Sequence, residues 1–206
     1  LIEAGISHPG EMDRLRDCIL PTEGVLTHLG EAHLGNFEGP DHLVREKCAL
    51  FKACSRVFLP EALRLRCGPH LPQDTVTWAH DQEAGAEHAA LQVEVDATKR
   101  HLNLHWQGAS ATMALPFTSD ASVHNACTAA LVALHHGATL EDIQHKLPLL
   151  TEPTGRLSSI KRPRGGILIQ DDCNHDLGSL EVALRALDQA PDAGQRVAIV
   201  GDVPQS

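Results

Sequence analysis

The chain has 206 residues, 42% of them hydrophobic and 21% charged, which fits one large globular domain or one domain with a piece of another. Its formal net charge of -10 excludes the basic face that nucleic acid or an anionic membrane surface would require. No run of about 18 apolar residues is present to span a bilayer, and the start has no secretory leader pattern.

The six cysteines, Cys18, Cys48, Cys54, Cys67, Cys127 and Cys173, contain no C-x-x-C pair, which argues against a zinc ribbon and for free thiols in a reducing cytoplasm. The chain starts on Leu1 and stops at "VGDVPQS", just past an apolar run, and we expect it to be an internal segment of a longer protein.

In chain order, "LIEAG" reads as the end of a buried strand, and "HPGEMDRLRDCIL" as a helix with Pro9 near its start. "GVLTHLG" is a short strand, "DHLVREKCALFKAC" a periodic helix, and "RVFLP" a further strand. This alternation predicts a parallel sheet with helices on its faces. Over residues 89–115 the texture changes to short alternating runs, "LQVEVDA", "RHLNLHWQG" and "ATMALPF", as in antiparallel strands.

"SVHNACTAALVALHHG" follows as an Ala-rich helix closed by Gly137, then "TLEDIQHKL" with Thr139 as N-cap and Asp142 three residues on. After a loop bracketed by Pro148 and Pro153 comes the strand "GGILIQ". The segment "DLGSLEVALRALDQA" sets Leu177, Leu180, Leu184 and Leu187 on one helical stripe, and "RVAIVGD" reads as a buried strand. Strand, helix and strand open a second α/β unit, which places a domain boundary near Asp171.

Several residues in this frame have a chemical reading beside a plain one. Plotted at about 100° per residue, the helix over 41–54 gathers Leu43, Val44, Cys48, Leu50, Phe51 and Cys54 on one stripe, with Lys47 in the middle of it. Such a lysine either snorkels from the helix face or sits, buried or modified, at a site, because a bare buried ammonium is costly. Glu3 closes an apolar run before Gly5, and either begins a loop or binds a hard cation such as Mg²⁺. His33 follows a strand end in the same manner, as ordinary loop chemistry or as a ligand. Asp171 and Asp172 end "GGILIQ", where ligands of α/β sheets often bind, though a solvated turn is equally open. No G-x-x-x-x-G-K-[ST] loop occurs in these residues.

Five blocks, in order, resemble the Mur ligase family, specifically its MurF type. "EAGISHPGEM" is similar to the family's E-x-G-x-x-x-x-G-E-[IM] signature, and "GVLTHLGEAHLGNF" to its strand and G-x-A-H-L-x-x-F turn. "REKCALFKAC" resembles the helix with the modified lysine, "PFTSDASVHNACTAALVAL" the adenine-contacting helix, and "ILIQDDCNHDLGSLEVAL" the ribose-binding hinge. Finer detail looks closest to the MurF-type domain fused in some bacteria to an alanine racemase.

The resemblance implies a P-loop NTPase-like central domain over 1–170, with its phosphate loop upstream of Leu1, and the beginning of a Rossmann-like C-terminal domain over 171–206. It implies a cytoplasmic ligase of peptidoglycan precursor synthesis that joins UDP-N-acetylmuramoyl-tripeptide to D-alanyl-D-alanine, splitting ATP through an acyl phosphate. The segment alone is then expected to be inactive. By the same resemblance, Glu3, His33 and a carbamylated Lys47 hold Mg²⁺, Asn125 contacts adenine, Asp171 the ribose, and Arg156 the nucleotide phosphates or hinge.

The sequence departs from the pattern at Cys173, where relatives often carry an aromatic, and at Ala49, where many carry Glu. A folylpolyglutamate synthetase-like ligase and a non-catalytic relative kept as a binding module are the alternatives; the "GEAHLGNF" turn leans away from the folate type.

Overall fold

The run Val57-Phe58-Leu59 is apolar at every position, as a strand covered on both faces must be. In the structure, a computed structural model, all three are buried in strand β2 (Arg56–Pro60). Described are residues 1–30, 33–96, 100–117, 119–151, 155, 157–163, 165–171, 177–190 and 194–201.

β2 lies inside a six-stranded sheet whose spatial order follows the chain: β1 (Glu23–Val25), β2, β3 (Thr75–His80), β4 (Leu91–Val95), β5 (His101–Trp106) and β6 (Ala109–Ala114). The pairs from β1 to β4 are parallel, and β4–β5 and β5–β6 are antiparallel. The change in texture after residue 89 therefore marks the switch to antiparallel pairing that the sequence predicts.

Alternation along the strands sorts the core into two layers. Phe58, Trp78, Leu91, Val93, Leu102, Leu104 and Met113 face α4 (Asp120–His135), which supplies Val123, Cys127, Leu131 and Leu134. Val57 and Leu59 point the other way, toward α2 (Pro40–Ala49), with its 3-10 extension Leu50–Ala53, and α3 (Glu61–Cys67). Close approach on that side demands Gly24, because a Cβ there would collide with the Phe51 ring. A third cluster ties α1 (Glu11–Ile19) to α2 through Met12, Leu43 and Ala49, with Ile6 and Phe37 alongside.

The capping signals hold. Ser119 accepts the Ser122 N–H at 3.2 Å to open α4, and Gly137 takes a φ of +94° just past its end. Helix α5 (Leu140–Lys146) starts with a complete capping box, Thr139 accepting from the Asp142 N–H at 3.1 Å and Asp142 from the Thr139 N–H at 2.8 Å. Beyond it, β7 (Ser158–Lys161) and β8 (Ile167–Gln170) form a separate antiparallel hairpin, followed by α6 (Leu177–Gln189).

Three strand expectations are corrected. Residues 1–6 and 196–201 form no strand, and Leu1, Ile2, Val197 and Ile199 are exposed. Of "GVLTHLG" only Gly24 and Val25 join β1 (Glu23–Val25), after which the Leu26 N–H makes one more bond to the Phe58 carbonyl at 2.9 Å and the chain leaves the sheet. An apolar run becomes a strand only where a ladder partner exists, and residues 1–6 and 196–201 find none among the described residues. Of the cysteines, Cys18, Cys48, Cys54, Cys67 and Cys127 are free thiols, as expected; Cys173 lies outside the described residues.

Candidate active site

Open parallel sheets bind ligands beyond the carboxyl ends of their strands, because βα turns gather there and leave backbone groups free. On this chain that edge receives residues 26–30 after β1, Glu61 after β2, residues 81–86 after β3, and the first turns of α4. The opposite edge is tied shut by Arg56, which forms ion pairs with Glu23 at 3.2 Å and Asp74 at 2.7 Å, and by a contact of the His136 ring with Glu23 at 2.9 Å.

Lys47 is half-buried, and its Nζ donates to the Gly30 carbonyl at 3.1 Å. Helix α2 thereby delivers an amine to the turn after β1, three residues before His33. Burial pushes the Lys47 pKa below its ordinary value, with the Cys48 thiol opposing in part. The amine is thus driven toward its neutral, nucleophilic form.

His33 takes a left-handed backbone, φ +64°, and its carbonyl accepts the Asn36 N–H at 2.9 Å to open the 3-10 turn Leu34–Asn36. A non-glycine residue in this region is uncommon. Its ring is exposed. Asn36 donates from Nδ2 to the Ser7 carbonyl at 2.9 Å, and Gly10 N–H to Glu46 at 2.6 Å. These bonds tie residues 7–10, a few positions after Glu3, to the His33 turn and to α2. Glu3 itself is exposed.

No group of three or more His, Cys, Asp or Glu side chains among the described residues converges as a metal site. The donor chemistry nevertheless suits a hard cation, with an exposed carboxylate at Glu3 and a lysine amine biased toward the neutral state that adds CO₂.

Asn125 lies exposed on the first turns of α4, at the carboxyl edge of β3. Asp171 follows β8, and its Oδ1 accepts the Leu157 N–H at 3.2 Å, closing the base of the β7–β8 hairpin. Arg156, Asp172 and Cys173 lie outside the described residues.

The fold adds neighbours that the sequence reading passed over. Trp78, His80 and His124 pack ring against ring, with centroids 5.3 to 5.7 Å apart, beside Asn125. His124 stays exposed, but partial desolvation against the Trp78 ring, then the His80 imidazole, holds its pKa below the ordinary value. Glu61, also at this edge, is buried; its Oε1 accepts from Arg64 Nε at 2.5 Å, while Oε2 has no hydrogen-bond partner among the described residues. Gly85 closes over it, since a Cβ there would stand 3.2 Å from Oε1. "TVTWAH" carried the missing signal, because read as a strand it puts His80 at a carboxyl end.

A mixed sheet with parallel strands, helices on both faces and a lysine delivered to the first strand's turn defines an α/β ligand-binding domain open at its carboxyl edge. The family model of the Mur ligase middle domain matches residues 1–133, and the chain belongs to the Mur ligase family.

The chain is 25% identical over 217 residues to the UDP-N-acetylmuramoyl-tripeptide–D-alanyl-D-alanine ligase of Escherichia coli, covering 100% of this chain and 46% of that protein. The crystal structure of MurF from Acinetobacter baumannii superposes with a TM-score of 0.73 at 25% identity, over 92% of this chain and 42% of that one. MurF of Thermotoga maritima, solved in complex with ADP, shares the fold at 17% identity with a TM-score of 0.70, over 90% of this chain and 43% of that one. The chain thus spans less than half the length of these relatives.

Proposed function

We propose that the chain is the central part of an ATP-dependent amide ligase of the MurF type. On this reading, residues 1–170 belong to the ATP-binding domain and 171–206 begin the C-terminal domain. The substrates are UDP-N-acetylmuramoyl-tripeptide and D-alanyl-D-alanine, and the setting is the cytoplasm. No described helix is long and apolar enough to cross a membrane. A fused alanine racemase would supply the D-alanine from which the dipeptide is made.

The observation that carries the reading is Lys47. A half-buried amine, depressed in pKa and held 3.1 Å from the Gly30 carbonyl, is poised for N-carbamylation. Its neutral lone pair attacks CO₂, a proton leaves, and the site gains an anion where it had a cation. With that carbamate, Glu3 and His33 would hold Mg²⁺, which when bound neutralises charge on the ATP phosphates. Asn125 would orient the adenine, and Asp171 and Arg156 the ribose and phosphates. The substrate carboxylate attacks the γ-phosphate, and the dipeptide amine then displaces phosphate from the acyl phosphate. Positioning and charge neutralisation carry such chemistry, because little of it is covalent to the protein.

The test uses the full-length protein. ADP release is expected to depend on both the muramoyl tripeptide and D-alanyl-D-alanine; turnover indifferent to the dipeptide overturns the reading. Lys47→Ala is expected to abolish turnover, with partial recovery in short carboxylic acids that replace the carbamate. Undiminished activity in that variant removes Lys47 from the mechanism.

A further inference from the structure

A cavity lies on the face of α2 opposite Lys47. It has a volume of about 530 Å³, inside the usual range for small-molecule sites. His42, Arg45, Glu46 and Lys52 line one wall. His42, Arg45, Glu46 and the cleft's Ala49 recur at three- and four-residue spacing along α2, and Lys52 continues the stripe three residues on, in the 3-10 extension. Lys47 lies roughly 160° round the helix from the centre of that stripe at about 100° per residue. His70, in the loop leading to β3, forms part of the facing wall. Ala49 and Leu71 give the cleft an apolar portion.

The charges in this cleft are of unusual sign for a chain of net charge -10. Its one carboxylate, Glu46, is already engaged: Oε2 accepts the Gly10 N–H at 2.6 Å, and Oε1 stands 3.7 Å from His42 Nε2. Lys52 is held loosely, 3.4 Å from an Asp13 oxygen that Arg16 also takes. Arg45 and His70 have no hydrogen-bond or ion-pair partner among the described residues. A free guanidinium fork, a loosely held ammonium and an imidazole around one cleft match the oxygens of a phosphate group.

We propose that this cleft is a binding site for a small phosphate-bearing molecule, separate from the strand-edge site. Arg45 and Lys52 grip the phosphate, His70 donates from the opposite wall, and the apolar portion takes the body of the ligand.

The test titrates inorganic pyrophosphate into the full-length protein, its nucleotide site first saturated with a non-hydrolysable ATP analogue. The imidazole NMR signals of His42 and His70 report on this cleft. Both are expected to shift saturably, with affinity falling roughly tenfold or more in Arg45→Glu and in Lys52→Glu, the loss of one charge-assisted contact. Lys161→Glu, an exposed position on β7, is the control and is expected to leave the titration unchanged. Signals that stay fixed, or that shift equally in Arg45→Glu and the unmodified protein, overturn the proposal.

Discussion

Residues 23–149 and residues 155–201 are built to different standards. In the first stretch both faces of the sheet are covered, and residues such as Val57, Leu91, Leu102 and Leu131 lie wholly out of solvent. In the second, Ile160, Leu168, Val182 and Leu184 are 44 to 49% exposed, and no buried hydrophobic residue among the described ones lies beyond Leu147. Yet the second stretch is as apolar in sequence, with "GGILIQ" and the leucine stripe of α6. Apolar content therefore does not by itself make a core. A hairpin and one helix offer two surfaces where a layered domain needs a covered sheet.

The largest test of that contrast is a pair of truncations followed by urea denaturation. Leu104→Ala, at a fully buried position between β5 and α4, is expected to cost about 3 kcal/mol, the transfer of the side chain plus the cavity it leaves. Leu184→Ala, on a 44% exposed position of α6, is expected to stay within about 0.5 kcal/mol. Equal costs would mean that the two stretches share one core.

A smaller effect is expected at Trp78, whose indole N–H donates to Thr128 Oγ1 at 2.9 Å inside the first core. Trp78→Phe keeps an aromatic ring but removes that donor and leaves a void where the rest of the indole sat, for an expected loss of about 2 kcal/mol. The hydroxyl of Thr128 still donates to the His124 carbonyl at 3.0 Å, which keeps the hydrogen-bond part of the loss small. A neutral substitution would show that neither the bond nor the indole's packing helps to hold α4 on the sheet.

The contrast between the two stretches also governs what was legible in the sequence. Where local chemistry decides, reading succeeded. Thr139 with Asp142 announces a capping box, Gly137 a helix end, and the alternation of "LQVEV" and "HLNLHW" an antiparallel pair. Lys47 was conspicuous because its position conflicts with the stripe around it. Where partners decide, reading failed. "LIEAG" and "RVAIVGD" have the composition of buried strands, but a strand is a relation between two segments, and composition describes only one. The grouping of Trp78, His80 and His124 was hidden for the same reason, since β3 and α4 are distant in sequence and meet only in the fold.

The finest discrimination concerns His124, at the rim where the first core meets solvent. Burial comes first among the causes that hold its pKa below the ordinary 6.5, then the charge of His80, with His28 adding to them. Asp120 and Glu83 oppose in part. The sign follows from proton uptake. Between the depressed folded value and 6.5 the unfolded chain binds a proton at this imidazole that the folded chain refuses. Stability from this group therefore rises with pH across that window and levels off above 6.5, while the full penalty remains below the folded value. Urea titrations of the protein and of His124→Gln at a series of pH values isolate the effect, because the carboxylates contribute equally to both curves. The unmodified protein is expected to gain on the variant as pH climbs toward 6.5 and to run parallel to it beyond. Parallel curves throughout would show that packing against Trp78 and His80 does not withdraw the exposed His124 ring from water.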